Sequence, residues 1–225
     1  MCLMPEIIFT DTTGVVSEDY YPKPSKMALP KWLKNLQPYY DDRGAEKQTG
    51  KRCIPMLDAS MAGYTIFLTE DIMIDQTETE PVFRWPSGLG IGFHGPKQVG
   101  DHGPAAHAIP KWMSPWSMKT PKGYSCLFTP PLNGDKPSML AFTGIVDTDT
   151  YFEVVNFPFM LANNKFEGII NAGTPLVQVF PFKRDEWNMK IEVGNTEEIK
   201  RSRNKLKSVF TDGYRNMFWS KKSYS

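Results

Sequence analysis

Cysteine, histidine and long apolar runs are all scarce in this sequence. The three cysteines are Cys2, Cys53 and Cys126, an odd number spread far apart in 225 residues. Such spacing indicates free thiols rather than a disulfide framework, so we expect a reducing compartment and no secretory signal peptide. No stretch approaches the roughly 18 consecutive apolar residues of a transmembrane helix, and the sequence therefore predicts no membrane partner.

A large net charge of either sign is also absent. The chain carries 26 Lys and Arg against 25 Asp and Glu, which leaves a formal charge of +1. A balance this close to neutrality argues against bulk attraction to nucleic acid or to membranes. Apolar residues make up 40% of the chain, enough for one substantial core. We therefore expect a single domain over residues 1–225.

Proline and aromatic residues are abundant instead, with 19 Pro, 14 Phe, 9 Tyr and 6 Trp. The most regular pattern lies in residues 120–184, where short runs of β-branched and aromatic residues are separated by Gly, Pro, Asn and Asp. This pattern predicts a compact antiparallel barrel or sandwich as the core of a mostly-β, α+β protein. The predicted strands are Tyr124–Thr129, Ser138–Val146, Tyr151–Asn156, Phe166–Ile170 and Thr174–Phe182.

The flanking regions predict additional helices, strands and loops around this core. Residues 1–50 predict an N-terminal arm, a short helix over 30–36 and a surface loop from residue 39 onwards. Residues 54–118 predict a helix over 54–63, bounded by Pro55 and Gly63, then three short strands and a histidine-rich loop. Beyond the core, residues 187–193 alternate and predict one more strand. Residues 195–219 predict an amphipathic helix that Gly213 breaks or bends.

The order of motifs inside residues 120–184 is distinctive. A strand ends in Thr129–Gly134 (Thr-Pro-Pro-Leu-Asn-Gly) and is followed by Gly144–Asp149 (Gly-Ile-Val-Asp-Thr-Asp), a strand ending at Asn156, and the hairpin Ile170–Val179. This order resembles the core of the dUTPase and dCTP-deaminase superfamily, the β-clip. The resemblance implies a β-clip-like barrel with extra N-terminal strands, short helices and a C-terminal amphipathic helix.

The same resemblance implies two site residues. Asp147 matches the position of the family's water-activating Asp, and Tyr151 lies near its sugar-stacking Tyr. A nucleotide pyrophosphatase or deaminase built on them would use Mg²⁺. However, Pro131-Leu132-Asn133 stands where the family has its phosphate-binding Arg-Ser-Gly, and Phe152-Glu153 replaces the Arg-Gly after the Tyr. A triphosphate needs cations, backbone N–H groups or a metal, so the resemblance implies the fold more than the catalysis.

A second resemblance covers most of the chain. Leu57–Ala59 with Gly63 and Tyr64, the run Tyr124–Asn133, and Phe166–Val179 are similar to a family of unassigned function carried by tailed phages and some bacteria. This similarity implies a phage protein of the host cytoplasm or the virion, and it brings no activity with it.

All three histidines fall in one loop that is rich in Gly and Pro. Imidazole and carboxylate side chains are usual ligands of transition metals, so the loop offers the candidate ligands His94, Asp101, His102 and His107. Their spacing matches no established metal signature. Two interpretations stay open: a metal-dependent enzyme, and a polar loop with exposed imidazoles, which we favour.

Tryptophans and a basic helix face suggest surfaces for partners. We expect Trp32, Trp112 and Trp116 to pack in the core or to line an interface between subunits. The C-terminal helix presents five basic residues that nucleic acid or an acidic partner could contact, although a solvated face is the simpler interpretation: Lys200, Arg201, Arg203, Lys205 and Lys207.

Together these features favour a non-catalytic binding or structural module of the phage type. It would act through contacts in a homo-oligomer or with other phage or virion proteins, and no cofactor is favoured. The alternatives are a dUTPase-like nucleotide enzyme on Asp147 and Tyr151, and a metal-dependent enzyme on the histidine loop.

Overall fold

The structure is a computed structural model that describes residues 4–78, 80–86, 90–95, 98, 109–194, 196–209 and 212–224. Within these residues the chain is mostly β, as the sequence predicts. The strands are β1 Ile8–Asp11, β2 Lys23–Pro24, β3 Tyr39–Asp42, β4 Ala45–Gln48, β5 Tyr64–Phe67, β6 Ile72–Gln76, β7 Pro81–Arg84, β8 Ile91–His94, β9 Ile109–Trp112, β10 Trp116–Lys119, β11 Tyr124–Thr129, β12 Met139–Ala141, β13 Gly144–Val146, β14 Phe157–Leu161, β15 Gly168–Ile170 and β16 Pro175–Lys183. The helices are α1 Lys31–Asn35, α2 Ile54–Met61, α3 Glu197–Lys207 and α4 Gly213–Met217.

The sheets join the two halves of the chain. The largest has the strand order β13-β11-β16-β5-β2, a second has the order β12-β14-β9-β8, and a third has the order β15-β6-β7. All strand pairs in these sheets are antiparallel. Strands β5, β6 and β9 from the first half therefore pair with strands of residues 120–184 and complete their sheets.

The hydrophobic core lies between these sheets and draws on both halves. Ile66 and Ile74 from the first half are fully buried, as are Phe159 and Val179 from the second. Aromatic rings pack through the centre of the core, where Trp112 stacks on Phe157 with their ring centroids 5.9 Å apart. Burial of aromatic and branched side chains is the main stabilising contribution to such a fold.

Two predicted strands of the central region are corrected. The run Ser138–Val146 divides into β12 and β13, which pair with different sheets. The run Tyr151–Asn156 is not a strand but a loop, held by one isolated bridge between Ser117 and Val154. Its apolar residues are divided, since Tyr151 is 46% and Phe152 is 55% exposed whereas Val155 is buried in the core.

Two peripheral predictions are also wrong. Residues 39–48, predicted as a surface loop, form the exposed hairpin β3–β4, in which Arg43 and Gly44 both have positive φ, as a two-residue hairpin turn requires. Residues 187–193, predicted as a strand, belong to no helix or strand. Alternation predicts a strand only when a neighbouring strand is available to pair with it.

The helices agree better with the sequence. Helix α1 lies within the predicted segment. Pro55 lies in the first turn of α2, and Gly63 follows its end with a φ of +68°. The predicted C-terminal helix is interrupted before Gly213, but the residue in the left-handed conformation is Asp212. The N-terminal arm is docked on the body: β1 pairs with β10, and Ser25 Oγ lies 2.9 Å from Thr65 Oγ1.

Candidate functional site

An open cleft with a volume of about 510 Å³ lies where two sheets meet. Strands β8 and β9 supply one wall, while β13 and the loop after it supply the other. This arrangement brings together three residues that the sequence singled out: Asp147, Tyr151 and His94. The complete lining is His94, Lys111, Ile145, Val146, Asp147, Tyr151, Val154, Val155 and Asn156.

Asp147 is oriented in this cleft by two donors. Ser125 Oγ on β11 donates to Asp147 Oδ1 at 2.6 Å, and Arg184 Nη1 donates to the same oxygen at 3.3 Å. The Asp147 side chain is 62% exposed. It is therefore fixed in direction yet accessible to a ligand, which a binding or general-base carboxylate requires.

Arg184 is the basic residue of the site that sequence reasoning missed. It follows the end of β16, and the register that places Lys183 opposite Tyr124 brings its guanidinium beside the 147–149 turn. Its main partner is Asp149, whose side chain is only 2% exposed and accepts hydrogen bonds from Arg184 and from the backbone N–H of Gly123. These bonds lower the pKa of Asp149 to about 2.

The charge balance of the cleft does not favour a polyphosphate. Arg184 is shared between two carboxylates, so its charge is compensated within the protein. Lys111 adds an amine and His94 an imidazole to the lining. Asn156 Oδ1 already accepts from the backbone N–H of Ser114 at 3.1 Å. Such a set suits a small polar ligand with hydrogen-bond donors better than several adjacent phosphates.

The loop of residues 130–135 makes contacts within the protein. Gln178, which is 1% exposed, accepts from the backbone N–H of Leu132 and donates to the carbonyl oxygens of Ala59 and Ala62. Through these hydrogen bonds, the Gln178 side chain connects the loop and the end of α2 to β16. The backbone N–H of Leu132, which could otherwise meet a phosphate, is therefore used internally.

The next residues of this loop hold α1. Asp135 accepts hydrogen bonds from the backbone N–H groups of Lys31 and Trp32, at 3.0 and 3.3 Å, and so caps the start of α1. The Asn133 carbonyl accepts from Trp32 Nε1 at 2.8 Å. The segment therefore connects α1 and α2 to β16.

The three tryptophans predicted in the core or at an interface differ in their solvent exposure. Trp112 is fully buried and Trp116 is 2% exposed, so both side chains pack in the core of this chain, which is the first of the two roles that the sequence allows. Trp112 lies on β9, which pairs with β14, and Trp116 lies on β10, which pairs with β1. Trp32 is 39% exposed, and its interface role stays a prediction.

The predicted metal loop falls largely outside the described residues. Asp101, His102 and His107 are not among them. His94 is described, and its Nδ1 lies 2.8 Å from Gln98 Oε1. In the described part of the chain, no three His, Cys, Asp or Glu side chains are arranged to hold a metal ion. The metal site stays a prediction.

The basic face of the C-terminal helix is confirmed as exposed. Every residue of α3 is solvent-exposed, Thr196 caps it by accepting from the N–H of Ile199, and Glu197 pairs with Lys200 at 2.6 Å. Whether these basic residues contact a partner stays a prediction.

No helix in the described ranges has the length and apolar character to cross a membrane.

Comparisons with known proteins add a likeness of fold and no family. Neither the family models nor the curated proteins gave a match. Among solved structures, the dUTPase of Staphylococcus bacteriophage 80alpha is similar at 12% identity over 85% of this chain and 90% of that one, with a TM-score of 0.35. The dUTPase of phage phi11 of S. aureus, whose structure describes a structural Mg(II) ion, is similar at 14% identity over 86% and 99%, also with a TM-score of 0.35. A likeness at this level carries no argument about the activity of this chain.

Proposed function

We propose that the chain is a non-catalytic binding or structural module of the phage type, acting through contacts with other protein subunits in the host cytoplasm or the virion. One observation carries the proposal. The segment 185–194, here called the connecting arm, exposes four apolar side chains almost completely: Trp187 at 89%, Met189 at 87%, Ile191 at 77% and Val193 at 98%.

These four side chains are unusual because they alternate along one short segment. Single exposed apolar residues are common on protein surfaces, but a contiguous set marks a contact site. The backbone of the arm is also without partners in the described part of the chain, since residues 186–194 make no backbone–backbone hydrogen bond to another described residue. A segment with free backbone groups and alternating apolar side chains is suited to lie against the sheet or surface of another subunit.

The cleft supports a binding role more than a catalytic one. The charge of Arg184 is compensated by Asp147 and Asp149. The loop that ends at Asp135 uses its hydrogen bonds to connect α1 and β16. A triphosphate substrate would find a single amine, from Lys111, among the described side chains that line the cleft.

Light scattering coupled to gel filtration tests the proposal. We expect the wild-type chain to be an oligomer, and we expect the double variant W187S/I191S to shift towards the monomer because the arm loses its largest apolar contacts. The matched control is V15S, since Val15 is 82% exposed but lies outside the arm. A wild-type chain that stays monomeric at high concentration, with no other phage protein bound, would overturn the proposal.

A nucleotide-processing enzyme is the second candidate, supported by the joint presence of Asp147 and Tyr151 in one cleft with Lys111. Incubation with a panel of deoxynucleoside triphosphates and Mg²⁺ tests it. Turnover by the wild type that is lost in D147N would favour this candidate over the non-catalytic one.

A further inference from the structure

The end of the chain carries a positive charge that the balanced total conceals. Residues 196–225, here called the C-terminal unit, contain eight Lys and Arg against three Asp and Glu, a formal charge of +5. The whole chain has 26 Lys and Arg against 25 Asp and Glu, so 18 and 22 of these fall in residues 1–195, a formal charge of −4. An asymmetry of this kind indicates that the unit meets an anionic partner of its own.

Helices α3 and α4 form this unit and are fixed on the body of the protein. Leu206 Cδ2 on α3 lies 3.2 Å from the position that a Cβ on Gly213 would take, so the two helices are in contact. Beyond α4, Trp219 Nε1 and Lys222 Nζ donate to Asp58 Oδ2 on α2 at 2.9 and 2.7 Å. Every residue of α3 is nevertheless exposed, so the body holds the unit without covering this helix.

The basic side chains of α3 are arranged in two stripes along the helix. Lys200, Arg203 and Lys207 lie at i, i+3 and i+7 and share one face. Arg201 and Lys205 lie at i and i+4 and share another. Lys200 and Lys207 are roughly 10 Å apart along the axis, at about 1.5 Å per residue. A chain of regularly spaced negative charges can therefore follow either stripe.

Most of these charges have no partner of opposite sign within the protein. Lys200 pairs with Glu197, and Lys222 pairs with Asp58. A helix face that meets only solvent usually mixes both signs, because like charges at i and i+4 destabilise a helix. The other six basic residues of the unit make no ion pair and no side-chain hydrogen bond with a described residue: Arg201, Arg203, Lys205, Lys207, Arg215 and Lys221.

Helix α4 adds aromatic rings to the same unit. Phe218 follows the end of α4, and its N–H donates to the carbonyl oxygen of Tyr214 at 2.9 Å, so the two residues lie one turn apart on one face. Their side chains are 39% and 45% exposed. Accessible rings next to unpaired cations are the combination with which proteins bind single-stranded nucleic acid, because bases stack on the rings while the cations hold the phosphates.

A lipid surface fits this unit less well. A helix that lies on a membrane buries a broad apolar face in the headgroup region. The only apolar residues of α3 are Ile199 and Leu206, and Leu206 is directed towards the start of α4. The charges of α3 therefore lack the apolar face that membrane binding requires.

We propose that the C-terminal unit binds single-stranded nucleic acid without sequence preference. The two stripes of α3 contact phosphates, and Tyr214 and Phe218 stack on bases. This partner is additional to the protein contacts proposed above and does not depend on them, because the connecting arm lies outside the unit.

Fluorescence anisotropy of a labelled oligothymidylate of about 20 nucleotides tests the proposal on the full chain. We expect wild-type binding that weakens steeply between about 50 and 200 mM NaCl. The variant R203E/K207E removes two phosphate contacts from one stripe. It should bind at least about tenfold more weakly at about 0.1 M NaCl, and its slope of log K against log salt should be shallower by about 1.4.

The matched control is K136E/K165E, which changes the net charge by the same amount at two exposed lysines outside the unit. It should bind like the wild type, because the stripes are intact. Circular dichroism should give R203E/K207E the thermal midpoint of the wild type, since both side chains are exposed. If that variant fails to fold, R201E/K205E on the second stripe repeats the measurement.

The stacking role has its own readout. Y214A and F218A should each weaken binding of the oligothymidylate by about fivefold or more. They should leave the salt slope unchanged, because neither variant removes a charge. Unchanged affinity in both variants would overturn the assignment to single strands.

Three other results would also overturn the proposal. The first is no binding by the wild type at about 50 mM NaCl. The second is an equal loss of affinity in R203E/K207E and K136E/K165E, which would mean that only the total charge matters. The third is tighter binding to a duplex of the same length, or to vesicles that contain phosphatidylserine, than to the single strand.

Discussion

Arg184 Nη2 lies 2.5 Å from Asp149 Oδ2, and this pair joins the end of β16 to the turn that carries Asp147. The pair is anchored on both sides, because Asp149 also accepts from the backbone N–H of Gly123 at 2.7 Å. The neighbouring Thr148 is fully buried and lies 2.8 Å from Thr120 through their hydroxyl oxygens. The cleft wall around Asp147 is therefore a rigid turn rather than a free loop.

The first prediction concerns acid stability. The pKa of Asp149 is lowered from 3.8 to about 2, first by Arg184 and then by the N–H of Gly123. Because the folded pKa is the lower one, its contribution is fully present above pH 3.8 and is lost as the pH falls through about 2. We expect D149N to flatten the decrease in thermal midpoint between pH 4 and 2, measured by circular dichroism.

D185N is the control for this experiment. Asp185 pairs with Lys183 on the surface, where both side chains are at least half exposed and such pairs contribute little. Its variant should follow the wild-type profile. An unchanged acid profile in D149N would contradict the assignment of that pKa.

The second prediction concerns Gln178, the buried side chain that joins the 130–135 loop to α2 and β16. Q178L keeps the volume but leaves the N–H of Leu132 and the carbonyl oxygens of Ala59 and Ala62 without their partner. An unsatisfied buried group costs about 1–3 kcal/mol, and because these bonds are only partly buried we expect a loss of about 1–3 kcal/mol in total in the free energy of unfolding.

Urea denaturation measures this loss. The matched control is Q48L on the exposed strand β4, which should change the unfolding free energy by less than about 0.5 kcal/mol. Equal stability of Q178L and the wild type would mean that the loop is not held by Gln178.

The sequence predicts the local elements of this fold well and its pairings poorly. Strand β11 follows from its composition between the turn at Gly123 and the pair Pro130-Pro131, and α2 follows from Pro55 and Gly63. These signals act within a few residues of the element that they bound. The pairing of β16 with β5 joins residues more than 100 positions apart, and only the packed structure determines that register.

The candidate site shows the same division. Asp147 and Tyr151 could be proposed because they lie in a recognisable local order, and the structure places both in one cleft. Arg184 and Ser125 could not be proposed, since they reach Asp147 only through the register of β11 with β16. The sequence left open whether Trp112 and Trp116 lie in the core or at an interface, because composition does not indicate which aromatic residues a second sheet will cover.

The third prediction separates two reasons why a glycine is required. Gly63 and Gly44 both have positive φ, at 68° and 84°, which disfavours any other residue by about 1–2 kcal/mol. A Cβ at position 63 would also lie 2.0 Å from the backbone oxygen of Val179, whereas one at position 44 meets nothing within 4 Å. We expect G44A to lose about 1–2 kcal/mol and G63A clearly more, as measured by urea unfolding. Similar losses would show that β16 can move away from Gly63.

The last prediction uses thiol chemistry to test the packing around the 147–149 turn. Cys126 is fully buried on β11, and burial raises the pKa of its thiol despite the hydrogen bond from Thr148 Oγ1 at 3.3 Å. Cys53, by contrast, is exposed before α2. A protonated and buried thiol reacts slowly with disulfide reagents, because the thiolate is the reactive species and the reagent must reach it. In a C2S background, Ellman's reagent should therefore modify one thiol quickly under native conditions and a second only in denaturant. C2S/C53S should show no fast reaction, whereas a fast reaction in that variant would mean that the turn opens readily and that the cleft wall is not rigid.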